Sequence, residues 1–205
     1  MKLTDTAIIL AGGLSRRMGE DKRYIKLHDQ KTLLDHVISN VEPIFPRIII
    51  ADDGKLEYKN KPNIITVQDV VPQCGLLSGI HSGLCASEAE YAYVIACDMP
   101  YLNPEYIEYM SEQVLAKKPK ACVTRFGVWI EPANAFYHKS LTSLMHKYLL
   151  AQRCSVYPLL QKVDTLFITE KKAREFSPDW QMFFNLNTKA DVENYLNYAE
   201  TNCDY

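Results

Sequence analysis

Two glycines directly behind an apolar run, a cluster of basic residues soon after them, and an aspartate behind a second apolar run are the groups whose types and spacing could handle a nucleotide. The run Ala7 to Leu10 breaks into Gly12 and Gly13, which is how a buried strand ends in a loop whose backbone amides can face a ligand. Consecutive amides suit phosphate oxygens. Arg16, Arg17 and Lys22 add fixed positive charge, so Leu10, Ala11, Gly12, Gly13 and Lys22 read as a triphosphate cradle. Asp98 follows Tyr93-Val94-Ile95-Ala96 and is held by a proline-containing turn. A carboxylate so placed suits magnesium, which prefers one or two carboxylates with phosphate oxygens and water. The plain alternatives are a tight turn with a solvated basic face for the first segment and turn capping for Asp98.

Neither common nucleotide fingerprint fits. A Walker loop needs Gly-x-x-x-x-Gly-Lys-Ser/Thr and a dinucleotide fold needs Gly-x-Gly-x-x-Gly, whereas here Gly12-Gly13 is followed by Ser15-Arg16-Arg17-Met18-Gly19 and Asp21-Lys22. The pattern Leu-Ala-Gly-Gly-x-Ser-x-Arg-Met-Gly-x-Asp-Lys instead resembles the opening loop of nucleotidyltransferases, most closely the molybdenum cofactor guanylyltransferases, the MobA family. Cys97-Asp98-Met99-Pro100 resembles that family's Cys-Asp-x-Pro metal motif, and Gly75-Leu76-Leu77-Ser78-Gly79 its Gly-Pro-Leu-Ala-Gly base-binding loop, with Leu76 in place of proline. Asp69 aligns with an aspartate that helps bind the purine. Asn185-Leu186-Asn187-Thr188 resembles the Asn-x-Asn-Thr segment, so that Asn185 and Asn187 are expected to contact the acceptor, and Glu131-Pro132-Ala133-Asn134 stands where the family has a short proline motif on the acceptor side. Where the bacterial pattern often has asparagine after the second strand this chain has Ala51, followed by Asp52 and Asp53.

The resemblance implies transfer of GMP from magnesium GTP to molybdopterin, or its molybdenum-bound form, giving the guanine dinucleotide cofactor and pyrophosphate, with handover to molybdoenzymes or their chaperones. The acceptor already carries a phosphate, so no strong general base is needed. The enzyme must align that phosphate, screen two anions and stabilise the departing pyrophosphate. Arg16, Lys22 and Asp98 are the residues expected to do so, with Asp98 holding the metal. Other readings are a cytidylyl- or sugar-phosphate nucleotidyltransferase, separated by nucleotide preference, and a non-catalytic GTP-binding adaptor, which would bind nucleotide without releasing pyrophosphate.

The elements that must position these groups follow a βαβ rhythm. Strands are expected at Ala7 to Leu10, Ile48 to Ala51, Ile64 to Val67, Tyr91 to Ala96, Ala121 to Thr124 and Leu166 to Ile168, with two short ones around Pro132 within Trp129 to Tyr137. Helices are expected over Leu33 to Val41, near Ile80 to Ala86, from Pro104 through Met110, over Leu141 to Leu150 and around Ala190 to Tyr198. This predicts a single three-layer, Rossmann-like α/β domain with a mostly parallel sheet, a nucleotide-binding half of about 1–125 and an acceptor-facing half of about 126–205. In such sheets ligands gather at the carboxyl ends of the strands, where the first loop, Asp69 and Asp98 would share one rim.

With 205 residues, 47% hydrophobic and 23% charged, the chain suits one well-buried domain, and its formal net charge of −2 gives no basic field to favour nucleic acid. The start enters the first strand almost at once and no apolar run is long enough for a membrane span, so a cytoplasmic location is expected. Six cysteines lack any Cys-x-x-Cys pair and most of them read as reduced core or loop thiols, with Cys203 the one expected to be exposed. The five histidines show no ligand spacing, and Gly-x-Ser-x-Gly is absent.

Overall fold

Short apolar runs with β-branched residues build the strands. The computed structural model describes residues 4–12, 21–27, 30–54, 56, 58, 61–71 and 74–202, with the backbone alone from 198 onward. Strands β1 (Thr6–Leu10), β2 (Arg47–Asp52), β3 (Ile64–Gln68), β4 (Tyr91–Ala96), β5 (Ala121–Phe126), β6 (Trp129–His138) and β7 (Thr165–Thr169) form one sheet in the order β3-β2-β1-β4-β6-β5-β7. Five consecutive pairs hold β1 parallel to β2 on one side and to β4 on the other. All neighbours run parallel except β6, which is antiparallel to both β4 and β5.

Alternate residues of β1 enter opposite cores, as a strand covered on both faces requires. Ala7 and Ile9 pack with Ile48, Ile50 and Tyr93 beneath α1 (Leu33–Val41) and α3 (Pro104–Lys117), while Ile8 and Leu10 pack with Ile49 and Val94 beneath α2 (Gly75–Ala86) and α4 (Thr142–Leu150). These are the three layers. Helix α1 starts in a capping box, with the Thr32 hydroxyl accepting from the Asp35 amide, and the Asn103 side chain caps α3 ahead of Pro104. The remaining helices are the short α5 (Tyr157–Leu160) and α6 (Glu170–Arg174), and α7 (Lys189–Asn202). No helix among the described residues is long and apolar enough to cross a membrane.

Three sequence expectations are corrected. First, the two strands expected around Pro132 are one strand, β6. Its register against β5 shifts between Cys122 and Thr124, and Asn134 takes a φ of +51°, so Pro132 lies at an irregularity that tolerates its missing N–H. Second, α2 begins at Gly75 rather than near Ile80. Third, Cys74 and Cys154 are not reduced thiols but a disulfide across 80 residues, with Cα atoms 4.8 Å apart. Cys74 precedes α2 and Cys154 follows α4, and the packing of these helices on one face brings their ends together. Cys85, Cys97 and Cys122 are free, and Cys203 lies outside the described residues.

Candidate functional site

The chain passes outward from β1 to β2 and β3, then returns to β4 on the far side of β1. The carboxyl ends of β1 and β4 are therefore a topological switch point, where open α/β sheets bind ligands. Beyond the strands the ladder continues into the loops: the Ala11 amide donates to the Ala51 carbonyl at 2.8 Å, Cys97 to Leu10 at 3.0 Å and Asp69 to Asp52 at 2.8 Å. A cavity of about 250 Å³ opens there. Its walls are Leu10, Ala11 and Gly12 at the end of β1, Asp21 to Arg23, Ala51 near the end of β2, Asp69 behind β3, Gly75, Leu76 and Gly79 of α2, and Ala96 to Asp98 at the end of β4. A second cavity, of about 490 Å³ and flanked by Trp129, Pro132 and Tyr157, shares Leu76 with it.

One end of the first cavity is a cation site. Residues 22–24 form a 3₁₀ turn capped by the Asp21 side chain, which sends Lys22 across the cavity mouth. The Lys22 ammonium donates to Asp98 Oδ2 at 3.2 Å and to Asn187 Oδ1 at 2.9 Å. Asn187 is held there because the Leu186 amide donates to the Asp98 carbonyl at 2.9 Å and Leu186 itself is buried. The Asp191 carboxylate then accepts from the Asn187 and Thr188 amides at the start of α7, so the same residues also cap a helix. Asn185 does not join this group: its side-chain amide donates to the Phe183 carbonyl. Gly13 and Arg16 lie outside the described residues.

The other end carries Asp69. Its Oδ1 is buried with no hydrogen-bond partner among the described residues. Burial, with the negative charges of Asp52 and Asp53, pushes its carboxyl up to about 6. Gly79 makes room for it: a Cβ there would stand 2.9 Å from Leu10 Cδ2 and 3.6 Å from Asp69 Oδ1. Gly75 has a φ of +54°, a backbone that turns the chain from Cys74 into α2.

Sequence reasoning passed over Arg23. Arg23 is 6% exposed, and its guanidinium bonds both Asp21 oxygens through Nε at 2.8 and 3.0 Å and reaches Asp52 and Asp53 at 3.4 Å each. Asp52 and Asp53, which follow Ala51 where the family pattern often has asparagine, are thus partners of Arg23, and Asp52 also accepts from the Leu56 amide at 2.7 Å. Only the folded proximity of the turn and β2 reveals this cluster. On the acceptor-side motif, Asn134 accepts from Tyr93 Oη at 2.7 Å and donates to the Met182 carbonyl at 3.1 Å, anchoring the segment that leads to Asn187. Glu131 accepts from the Ala133 amide, and burial pushes its carboxyl up to about 7.

A mostly parallel sheet with a cavity at the switch point, one end a cation site and the other a buried acceptor, fits the nucleotide-binding α/β class. Residues 7–166 match the model of the MobA-like NTP transferase domain. The chain is 41% identical over 190 residues to a molybdenum cofactor guanylyltransferase of Syntrophotalea carbinolica, covering 93% of this chain and 90% of that one. It is 43% identical over 199 residues to a probable molybdenum cofactor guanylyltransferase of Peptoclostridium acidaminophilum, covering 95% and 89%. Among solved structures, molybdopterin-guanine dinucleotide biosynthesis protein A of Archaeoglobus fulgidus superposes with a TM-score of 0.82 at 22% identity, covering 96% of this chain and 99% of that one. The chain belongs to the MobA-like NTP transferase family.

Proposed function

We propose that the protein transfers GMP from GTP to the terminal phosphate of molybdopterin or of its molybdenum-bound form, giving the guanine dinucleotide cofactor and pyrophosphate. The observation that carries this reading is the buried Asp69 Oδ1, without a hydrogen-bond partner among the described residues, at one end of a cavity whose other end holds Lys22 and Asp98, with Asn187 hydrogen-bonded to Lys22. An ionised carboxylate is acceptor-only. Guanine offers it two adjacent donors, N1–H and the exocyclic amine, whereas adenine and cytosine pair one amine with a ring-nitrogen acceptor at the corresponding edge. The likeness to guanylyltransferases at 41 and 43% identity supports the same nucleotide.

With the base on Asp69, the phosphates run toward Gly12 and Lys22. Lys22 exchanges Asp98 and Asn187 for phosphate oxygens, and Arg16 adds charge from the same loop. Asp98 and Asn187 already direct two hard oxygens at one cation position, a donor set that fits magnesium. Magnesium held by Asp98 would neutralise charge on the phosphates and on departing pyrophosphate. An oxygen of the acceptor phosphate forms the new bond to the α-phosphorus as the α–β bridge breaks, and no side chain has to remove a proton. Asn187, anchored through Leu186, helps orient the acceptor, which is already ionised. Alignment and charge compensation supply the rate.

Pyrophosphate release with magnesium and molybdopterin, offering GTP, CTP and ATP separately, tests the reading. Release with GTP is expected, and Asp98→Ala should lose roughly two to three powers of ten in kcat, the scale of losing one preorganised electrostatic group. Preference for CTP would overturn the guanine assignment; tight GTP binding without release would point to a binding adaptor.

A further inference from the structure

Residues 21–23 join two sides of the cavity: Lys22 reaches the β4 rim while Arg23 reaches the β2 rim. Among the described residues, the charged groups around Asp69 are Asp52 and Asp53 at the end of β2 and Arg23 and Asp21 on the turn, with Lys22 and Asp98 across the cavity. From α2, Ser78, Gly79 and Ser82 face this corner, and none of them titrates. Three carboxylates thus crowd the base end, two of them bound by one buried guanidinium. We propose that Arg23 is a positioning residue for the nucleotide: by pairing with Asp52 and Asp53 it keeps Asp69 available as an ionised acceptor for the base. The proposal rests on the assignment of Asp69 to the base.

The physical chain is short. Asp52 and Asp53 disfavour a charge on Asp69, and a cation fixed between them offsets that repulsion. Arginine suits the task because its planar fork spans several carboxylates and stays charged when buried. Its own value is raised, chiefly through the hydrogen bond to Asp21. Lysine could supply the charge but not the fork.

The test is KM for GTP from pH 5 to 8 in the wild type, Arg23→Met, Arg23→Lys and Asp53→Asn. Wild-type KM should rise as pH falls through about 6, where Asp69 takes up its proton. In Arg23→Met that rise should begin about one pH unit higher, the scale of losing one nearby opposite charge, with a KM several-fold above wild type at pH 7 and kcat at saturating GTP within about threefold. Arg23→Lys should restore most of the shift. Asp53→Asn lies in a partly exposed turn and removes a facing charge, so it should move the rise to lower pH, and it keeps the proposal testable if Arg23→Met does not fold. Unchanged profiles in both Arg23→Met and Asp53→Asn overturn the proposal while leaving the guanylyltransferase reading intact. A wild-type chain that binds no GTP at any pH overturns that reading, and the proposal with it.

Discussion

The Lys22 ammonium joins residues 76 and 165 positions away along the chain, so the cation site exists only once the C-terminal segment has docked on β4. Asp69 makes the sharper residue-scale prediction. Its native value of about 6 lies above the ordinary 3.8. Between those values the native chain keeps a proton that the unfolded chain has lost, so the carboxyl's contribution to stability falls as pH rises through that window and the cost of burying its charge is fully present above about pH 6. Asp69→Asn should therefore be more stable than wild type to denaturant at pH 7.5, and the gain should vanish near pH 4. The same variant should bind GTP about tenfold more weakly or worse, as loss of a hydrogen bond to a charged group implies; undiminished binding would remove Asp69 from the base site. The sequence made Asp69, Lys22 and Asp98 legible because each follows an apolar strand or a distinctive loop. Arg23 was not legible, since its carboxylate partners 29 and 30 residues on become neighbours only through the parallel pairing of β1 and β2.

Helix α2 shows where an element's bounds escape its sequence pattern. Gly75 and Gly79 stand in a stretch that reads as a loop, yet Gly79, together with Gly83 of the expected helix, is what lets α2 lie close on the sheet. A Cβ on Gly83 would stand 2.5 Å from Ile8 Cγ2, in the fully buried middle of β1. Gly83→Ala should therefore destabilise the protein by about 1–3 kcal/mol through overpacking, despite alanine's better helix propensity. A denaturant midpoint equal to or above wild type would show that α2 can lift without cost. The strand pattern was legible because buried β-branched runs have few other uses, as β4 illustrates with bounds that match its apolar run. The unbroken course of β6 was not, because a proline inside a strand reads as a stop unless the neighbouring register shift is known.

At the scale of the molecule, the sheet interleaves the two portions read from the sequence: β6 enters between β4 and β5, and Met182 is tied to Asn134 on that strand. The disulfide between Cys74 and Cys154 spans the same region. Closing a loop of that length restricts the unfolded chain by about 4.5 kcal/mol on the chain-entropy account. Cys154→Ser should lose a stability of that order, and reductant should lower the midpoint of the wild type but not of the variant. Equal midpoints with and without reductant in the wild type would mean that the bond adds no stability.

That bond also divides the polypeptide into a covalent ring, residues 74–154, and two open arms. Asp98 belongs to the ring, Lys22 and Asp69 to the first arm, and Asn187 to the second. A protease that nicks the exposed turn at Gly127 and Val128 would leave a single covalent molecule of unchanged mass, apart from one added water, until reductant parts it. A nick between α6 and Asn187 would release the part of the second arm beyond the cut from covalent attachment whatever the redox state, leaving only packing and hydrogen bonds to hold Asn187 against the cation site.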